Sequence, residues 1–290
     1  MSHFSPEWLA LREPLDNLAR DASLATRLIW HLNPSEPLSL VDLGSGTGSN
    51  LRYLAPKLGG EQHWLLLDHD PELLRTARTD LQHWSRRMEA RWWETDDALY
   101  IEHRAWRCRI RSRIQDLASD LDGLDLSGVH CVTTAALLDL VSESWLRKLA
   151  QLCRDAGCAI AFALNYDGRL RWQPRDPFDA TLRHLLNNHQ LTDKGFGPAL
   201  GPYATAACLQ LFGAQGYQLS VNRSEWRIGP TDQTLQTALL DDWTQAVQGI
   251  APGQGPQIAA WRAHRARHIA LADSRLTVGH RDVLGWLKRP

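Results

Sequence analysis

Residues 38–43, Leu-Ser-Leu-Val-Asp-Leu, form a short, mainly apolar run that breaks directly into Gly44-Ser45-Gly46-Thr47-Gly48. An apolar run of this length, bounded by glycines, reads as a strand buried on both faces, as strands of a parallel sheet are. A parallel neighbour requires a crossover, and residues 50–58 supply a helix for it. Residues 63–68 (His-Trp-Leu-Leu-Leu-Asp) are a second buried strand ending in a carboxylate. Residues 71–84 then read as a second helix, with Pro71 in its first turn. The order is strand, helix, strand, helix.

The same rhythm continues downstream. Between Arg104 and Asp116 the chain alternates, with Arg107, Arg109, Arg111 and Arg113 on one strand face and Cys108, Ile110, Ser112 and Ile114 on the other. Strands are expected at 128–136 and 158–164, with a helix at 142–155 between them. Residues 165–200, with Gly168, Pro174, Pro177, Gly195, Gly197 and Pro198, break the rhythm and read as an insertion over the sheet's carboxyl edge. A helix near 203–214 and a strand near 217–226 resume it. Residues 235–247 and 257–272 are expected as two helices, and 276–286 as a closing strand. Ahead of the sheet, residues 5–32 carry apolar positions at helical spacing, stopped by Asn33-Pro34. The fold class is α/β: a doubly wound, mostly parallel, seven-stranded sheet with helices on both faces. Residues 1–37 form a helical lead-in and 38–290 the Rossmann-like domain, whose insertions at about 165–200 and 233–272 cap an acceptor site.

A glycine turn between a buried strand and a helix lets backbone N–H groups approach a ligand closely. Three cofactor classes use such turns. The spacing here, glycine at 44, 46 and 48, is followed by Ser49 where a dinucleotide fingerprint needs Gly or Ala. Ser49-Asn50 also lacks the Gly-Lys-Ser/Thr ending of a nucleoside-triphosphate loop.

With Asp42 ahead of the glycines, the segment resembles the first motif of class I S-adenosylmethionine-dependent methyltransferases. That resemblance implies that Gly44, Ser45, Gly46 and Gly48 approach the cofactor's methionine and ribose, and that Asp42 helps hold its amino group. Asp68 matches the acidic residue that binds both ribose hydroxyls, a role that suits a carboxylate's lone pairs. Residues 68–78, beginning Asp68-His69, are similar to the family's second motif. Asp116 falls where the family places an acceptor for the adenine amino group, with Leu117 beside the ring. Residues 135–141, beginning at Ala135, match the segment flanking the sulfonium and the acceptor. The resemblance covers residues 38–165, and more weakly 203–226. It implies S-adenosyl-L-methionine as cofactor, S-adenosyl-L-homocysteine as product, and transfer of a methyl group by in-line displacement.

The acceptor side is less specific. In-line methyl transfer demands alignment first, and a base only where the acceptor must lose a proton. The Asn/Asp-Pro-Pro-Tyr/Phe motif of the family's amide and amine methyltransferases is missing, since that position reads Ala136-Leu137-Leu138-Asp139. Asn165-Tyr166-Asp167-Gly168 follows the fifth strand and is not its equivalent. Asn165, Tyr166, Asp167, Arg169, Trp172, His184, His189, Lys194 and Phe196 offer groups for an acceptor pocket. Tyr166, His189 and Lys194 rank first because they flank glycine-containing turns. Arg12, Asp16 and Arg20 share a helical face, which reads as a solvated salt-bridged face or as a cover over the cofactor.

Composition sets the remaining bounds. Net charge is -1, from 32 Lys+Arg against 33 Asp+Glu, which gives no general attraction to nucleic acid or an anionic membrane. The arginine strand 107–113 invites a phosphate-tracking reading. An edge position, where charge blocks unwanted pairing, is favoured over it. The run Arg262, Arg265, Arg267, His268 is expected on the solvent face of a helix. The five cysteines lack the close pairs of metal sites and read as reduced, buried thiols, so no metal is expected. Most of the 13 tryptophans read as core. Residues 1–12 lack the basic start and apolar run of a secretory signal, which points to the cytoplasm. The expectation is a monomer or homodimer acting on a small molecule. The alternatives are an RNA or protein methyltransferase, or a non-catalytic S-adenosylmethionine-binding protein.

Overall fold

The computed structural model describes residues 4–32 and 37–288, so the expected stop at Asn33-Pro34 lies outside the described residues. The lead-in is two helices, α1 (Pro6–Ala19) and α2 (Ala22–Leu32). They part at Arg20-Asp21, where the Asp21 carboxylate accepts from Ser23 N and the Asp21 N–H donates to Asp282. The alternating unit follows: β1 (Leu38–Leu43), α3 (Ser49–Leu58), β2 (Gly60–Asp68), α4 (Pro71–Arg87). Then come β3 (Arg91–Glu94), β4 (Leu99–His103), β5 (Trp106–Ile114), β6 (Cys131–Ala135), α5 (Glu143–Ala156) and β7 (Ala159–Gln173). The last part is α6 (Asp179–Gln190), α7 (Ala204–Ala214), β8 (Tyr217–Arg223), β9 (Trp226–Ile228), α8 (Gln233–Ile250), α9 (Gly255–Ala270) and β10 (Arg275–Leu287).

The strands form one sheet in the order β3-β4-β5-β2-β1-β6-β7-β10-β8, with β9 paired to β10. Its centre, β5-β2-β1-β6-β7, is parallel, and β10 runs antiparallel to its neighbours. Successive residues serve opposite faces. Val41, Val132 and Val283 enter a core under α5 and α7, while Leu40, Cys131 and Leu284 enter a second core with α2, α3 and α4. The sheet is thus doubly wound with helices on both faces, as period-2 burial demands.

Three features depart from the sequence reading. The described sheet has ten strands, where seven were expected. Two of the extra strands are the hairpin β3-β4, which pairs with β5 and removes residues 106–110 from the edge. Only residues 111–114 of β5 lie beyond that pairing. They are exposed, including Ser112 and Ile114, so the alternation of buried and exposed residues stops at Ile110. β7 also does not end at 164. It runs on to Gln173 beside β10, with register shifts that let the long pair bend past the main sheet. On this extension β9, α6, α8 and α9 build a third core around Trp172, Trp226, Leu239, Trp261 and Leu276. Residues 165–200 and 233–272, far apart in sequence, therefore meet in one cap lobe, of which Lys194 and Phe196 reach the cleft at the sheet's carboxyl edge and residues 233–272 do not line it.

Candidate active site

Strand order decides where a ligand can enter. From β1 the chain crosses to β2 on one side, while β6 lies on the other. Such a switch point opens a crevice at the carboxyl ends of the strands. The cleft found there is lined by residues 44–47 and 49–50 after β1, 68–70 after β2, 115–118 after β5, and 135–137 and 140 after β6. α1 and the loop after α6 add Leu9, Arg12, Asp16, Lys194 and Phe196.

Gly44, Gly46 and Gly48 have φ of 62°, 52° and 78°, left-handed values that glycine adopts without strain. At Gly46 a Cβ would also stand 3.1 Å from Leu9 Cδ1, so α1 sits directly on the loop. Asp68, 5% exposed, fixes the loop from β2 by accepting from Gly46 N (2.8 Å) and Asp70 N (3.0 Å). A carboxylate has about four lone-pair positions, so acceptor capacity remains for a diol. His69 stands beside it, with Nδ1 3.3 Å from Oδ1. Asp116 lines the cleft with its carboxylate accepting from Ala118 N and the Ser119 hydroxyl, while Leu117 O accepts from Trp145 Nε1.

Asp42 and Gly48 are not among the residues lining the cleft. Asp42 lies behind it, accepting from Asn50 Nδ2 (2.6 Å) and the Thr133 hydroxyl (2.9 Å), and burial pushes its carboxyl up to about 6. Asp42 Oδ2, Asn50 Oδ1 and Ser45 Oγ are buried without a hydrogen-bond partner. Buried polar atoms in folded proteins are nearly always satisfied. Ser45 and Asn50 line the cleft with Asp42 directly behind Asn50, and three orphans so placed, two of them acceptors only, match a ligand that brings N–H donors.

Of the three acceptor-side candidates, Lys194 alone lines the cleft. Its Nζ donates to Thr192 Oγ1 (2.9 Å) and His189 O (3.1 Å), and burial holds its pKa below the usual lysine value. His189 stands behind it, with its pKa lowered by burial and then by Lys194. Tyr166 sits in the cap core, donating to Asn187 Oδ1 (2.8 Å), and burial raises its pKa. Phe196 joins Lys194, whereas Trp172 is core and His184 bonds Asn188. Asn165, Asp167 and Arg169 lie along β7, where Asp167 pairs with both Arg169 and Arg281.

The N-terminal helix is part of the site. Arg12 and Asp16 line the cleft as an ion pair (2.8 Å), Asp16 accepts from Trp226 Nε1 (2.9 Å), and Arg12 lies over the Trp226 ring. Buried Arg52 of α3 binds Thr47 O of the glycine loop and Glu13 of α1. The solvated reading of this helical face is therefore corrected. Arg20 of the same face lies over the Tyr53 ring (3.9 Å) and does not line the cleft. Sequence reasoning missed Arg52, whose signal is an arginine set between Leu51 and Tyr53 on a helix whose neighbouring positions are buried.

No protein-family model matches the chain, and no curated protein matches it in sequence. Among solved structures it is similar to an S-adenosylmethionine-dependent methyltransferase from Geobacter sulfurreducens in complex with S-adenosyl-L-homocysteine. That pair has 14% identity and a TM-score of 0.47, over 98% of this chain and 99% of that one. It is also similar to the YcgJ protein from Bacillus subtilis (12%, TM-score 0.48, 93% and 100%). A third is a cyclopropane synthase from Mycobacterium tuberculosis (9%, TM-score 0.44, 91% and 83%). No helix among the described residues is long and apolar enough to cross a membrane.

Proposed function

We propose that the chain binds S-adenosyl-L-methionine in this cleft and transfers its methyl group to a small-molecule acceptor. The observation that carries the reading is the coincidence of the glycine loop, the Asp68 carboxylate and the orphaned Asn50 and Asp42 oxygens at one switch point. The residues present fit the group. Asn50 Oδ1 and Asp42 Oδ2 supply acceptors for an ammonium, Asp68 for a ribose diol, and Leu117 an apolar wall for adenine. When bound, the cofactor supplies an electrophilic methyl group. The chain orients and excludes water: α1 covers the glycine loop, and Leu137, Leu140 and Phe196 line the far wall. A covered cleft favours a small acceptor over a macromolecule. Lys194, which lines the cleft and whose pKa burial lowers, is the group placed to take a proton or hold an anionic acceptor.

Isothermal titration with S-adenosyl-L-methionine and S-adenosyl-L-homocysteine tests the cofactor. Both should bind with one site, and Asp68→Ala should weaken them at least tenfold. Equal binding by the variant would remove Asp68 from the ribose role. Binding of NADH in their place would overturn the cofactor class. Label transfer from methyl-labelled cofactor to a metabolite extract, with bulk RNA and protein alongside, tests the acceptor. Label found only in a macromolecule would reject a small acceptor.

A further inference from the structure

The outer face of the cap lobe carries a pair of histidines arranged unlike ordinary surface side chains. His264 and His268 are one turn apart on α9, and their Nε2 atoms face each other at 3.1 Å. Their ring centroids stand 4.7 Å apart, so the rings splay away from the Nε2 contact instead of stacking flat. Each ring is held from behind by a carboxylate: His264 Nδ1 by Asp176 Oδ2, and His268 Nδ1 by Asp273 Oδ1 at 2.8 Å. The Asp176 carboxylate is itself fixed, accepting from Phe178 N, and a backbone bond from Asp273 N to His268 O holds the turn that carries the other.

Protons decide what this arrangement can hold. An ionised carboxylate only accepts, so each Nδ1 carries the hydrogen and each neutral ring presents a bare lone pair at Nε2. Two lone pairs at 3.1 Å repel unless something positive lies between them. A shared proton is one solution and a shared cation the other. The separation lies within a few tenths of an ångström of what the cation needs: two Zn–N bonds of about 2.0–2.1 Å at a tetrahedral angle place the nitrogens about 3.3–3.4 Å apart. Histidines that bind metals typically donate their other N–H to a carboxylate, which fixes the tautomer and raises ligand basicity. Two neutral imidazoles backed by Asp176 and Asp273 also balance the charge of a dication.

We propose that His264 and His268 chelate a divalent transition-metal ion, with Zn2+ as the reference, through their Nε2 atoms, water completing the shell. Among the described residues no group of three or more His, Cys, Asp and Glu side chains is placed to hold a metal, so the ion has two protein ligands. Imidazole ligands select Zn2+, Ni2+ or Cu2+ over Mg2+ or Ca2+. Through Asp176 and Asp273 the ion links α9 to the segment entering α6 and to the turn entering β10. The site is a strut in the cap lobe, separate from the cleft.

Tag-free protein stripped with a chelator and titrated with Zn2+ at neutral pH tests this. One equivalent should bind, and Mg2+ should not compete. His264→Gln and His268→Gln should each weaken uptake at least tenfold, and Asp273→Ala by about 10–100-fold. Zn2+ should raise the Tm of the wild type and leave that of His264→Gln unmoved. Absence of saturable uptake would show a shared proton only and overturn the proposal. Uptake that survives in both His→Gln variants would place the metal elsewhere and overturn it equally.

Discussion

The loop after β6 buries a carboxyl whose Oδ1 receives no donor. Asp139 is 9% exposed, and burial pushes its pKa up to about 6. Between about pH 4 and 6 the native state therefore holds a proton that the unfolded chain, with an ordinary aspartate, has released. Stability contributed by this group is greatest below pH 4, falls as pH rises towards 6, and stays at its lower level above that. A shift of this size is on the order of 2–3 kcal/mol. Asp139→Asn should raise the Tm by a few degrees at pH 8 and by little at pH 4, read by thermal melts across that range. An equal gain at both pH values would show that charge burial is not the cause. At Gly46 the constraint is conformational. Alanine there meets both a left-handed φ and the Leu9 side chain, so Gly46→Ala should cost about 1–2 kcal/mol in urea denaturation. It should also weaken cofactor binding, since the Gly46 N–H is the one that Asp68 holds.

At the scale of elements, α1 is the part of the cleft that the sequence showed least. Its amphipathic spacing predicted a helix, yet what it covers depends on Glu13, Asp16 and Leu9 meeting Arg52, Trp226 and the glycine loop. Those partners lie 39 and 210 residues away in the two hydrogen-bonded cases, beyond any local pattern. β1 and β2 were legible because their apolar residues are buried in the middle of the sheet and they run into Gly44 and Asp68. The glycine loop and Asp68 were legible for the same reason. The hairpin β3-β4 was not, because Arg91-Trp92-Trp93-Glu94 is short and mixed, and it is held by pairing to β5 rather than by its own period. The length of β7 was hidden because Gly168 and Pro174 read as breakers, whereas an antiparallel partner and a bulged register carry the strand past Gly168. If α1 closes the cleft over bound cofactor, its amides should exchange more slowly in the complex. Hydrogen exchange with saturating S-adenosyl-L-homocysteine should protect residues 6–19 along with the loop 44–50. Protection of the loop alone would leave α1 a fixed support.

Across the whole molecule, the cap lobe and the sheet share strands, so they are expected to fail together. β7 and β10 pass without interruption from the two cores of the main sheet into the cap core. The cap is locked by Arg265, which is 1% exposed and not on a solvent face as its neighbours in the sequence suggested. Its guanidinium binds both oxygens of Asp179 at the start of α6 (2.6 and 2.7 Å) and Pro174 O (2.6 Å), and Trp261 Nε1 donates to the same carboxylate (3.0 Å). Removing one partner of such a pair leaves a buried charge uncompensated, at a cost of about 3–5 kcal/mol. Asp179→Ala should therefore lower the urea midpoint of the entire chain. If the shared strands couple the lobes, tryptophan fluorescence, with Trp172 and Trp261 in the cap, and far-ultraviolet circular dichroism should give coincident transitions. The m value should be unchanged, because the same surface is exposed on unfolding. Fluorescence moving to lower urea while circular dichroism stays in place would instead show a cap that unfolds separately from the sheet that carries it.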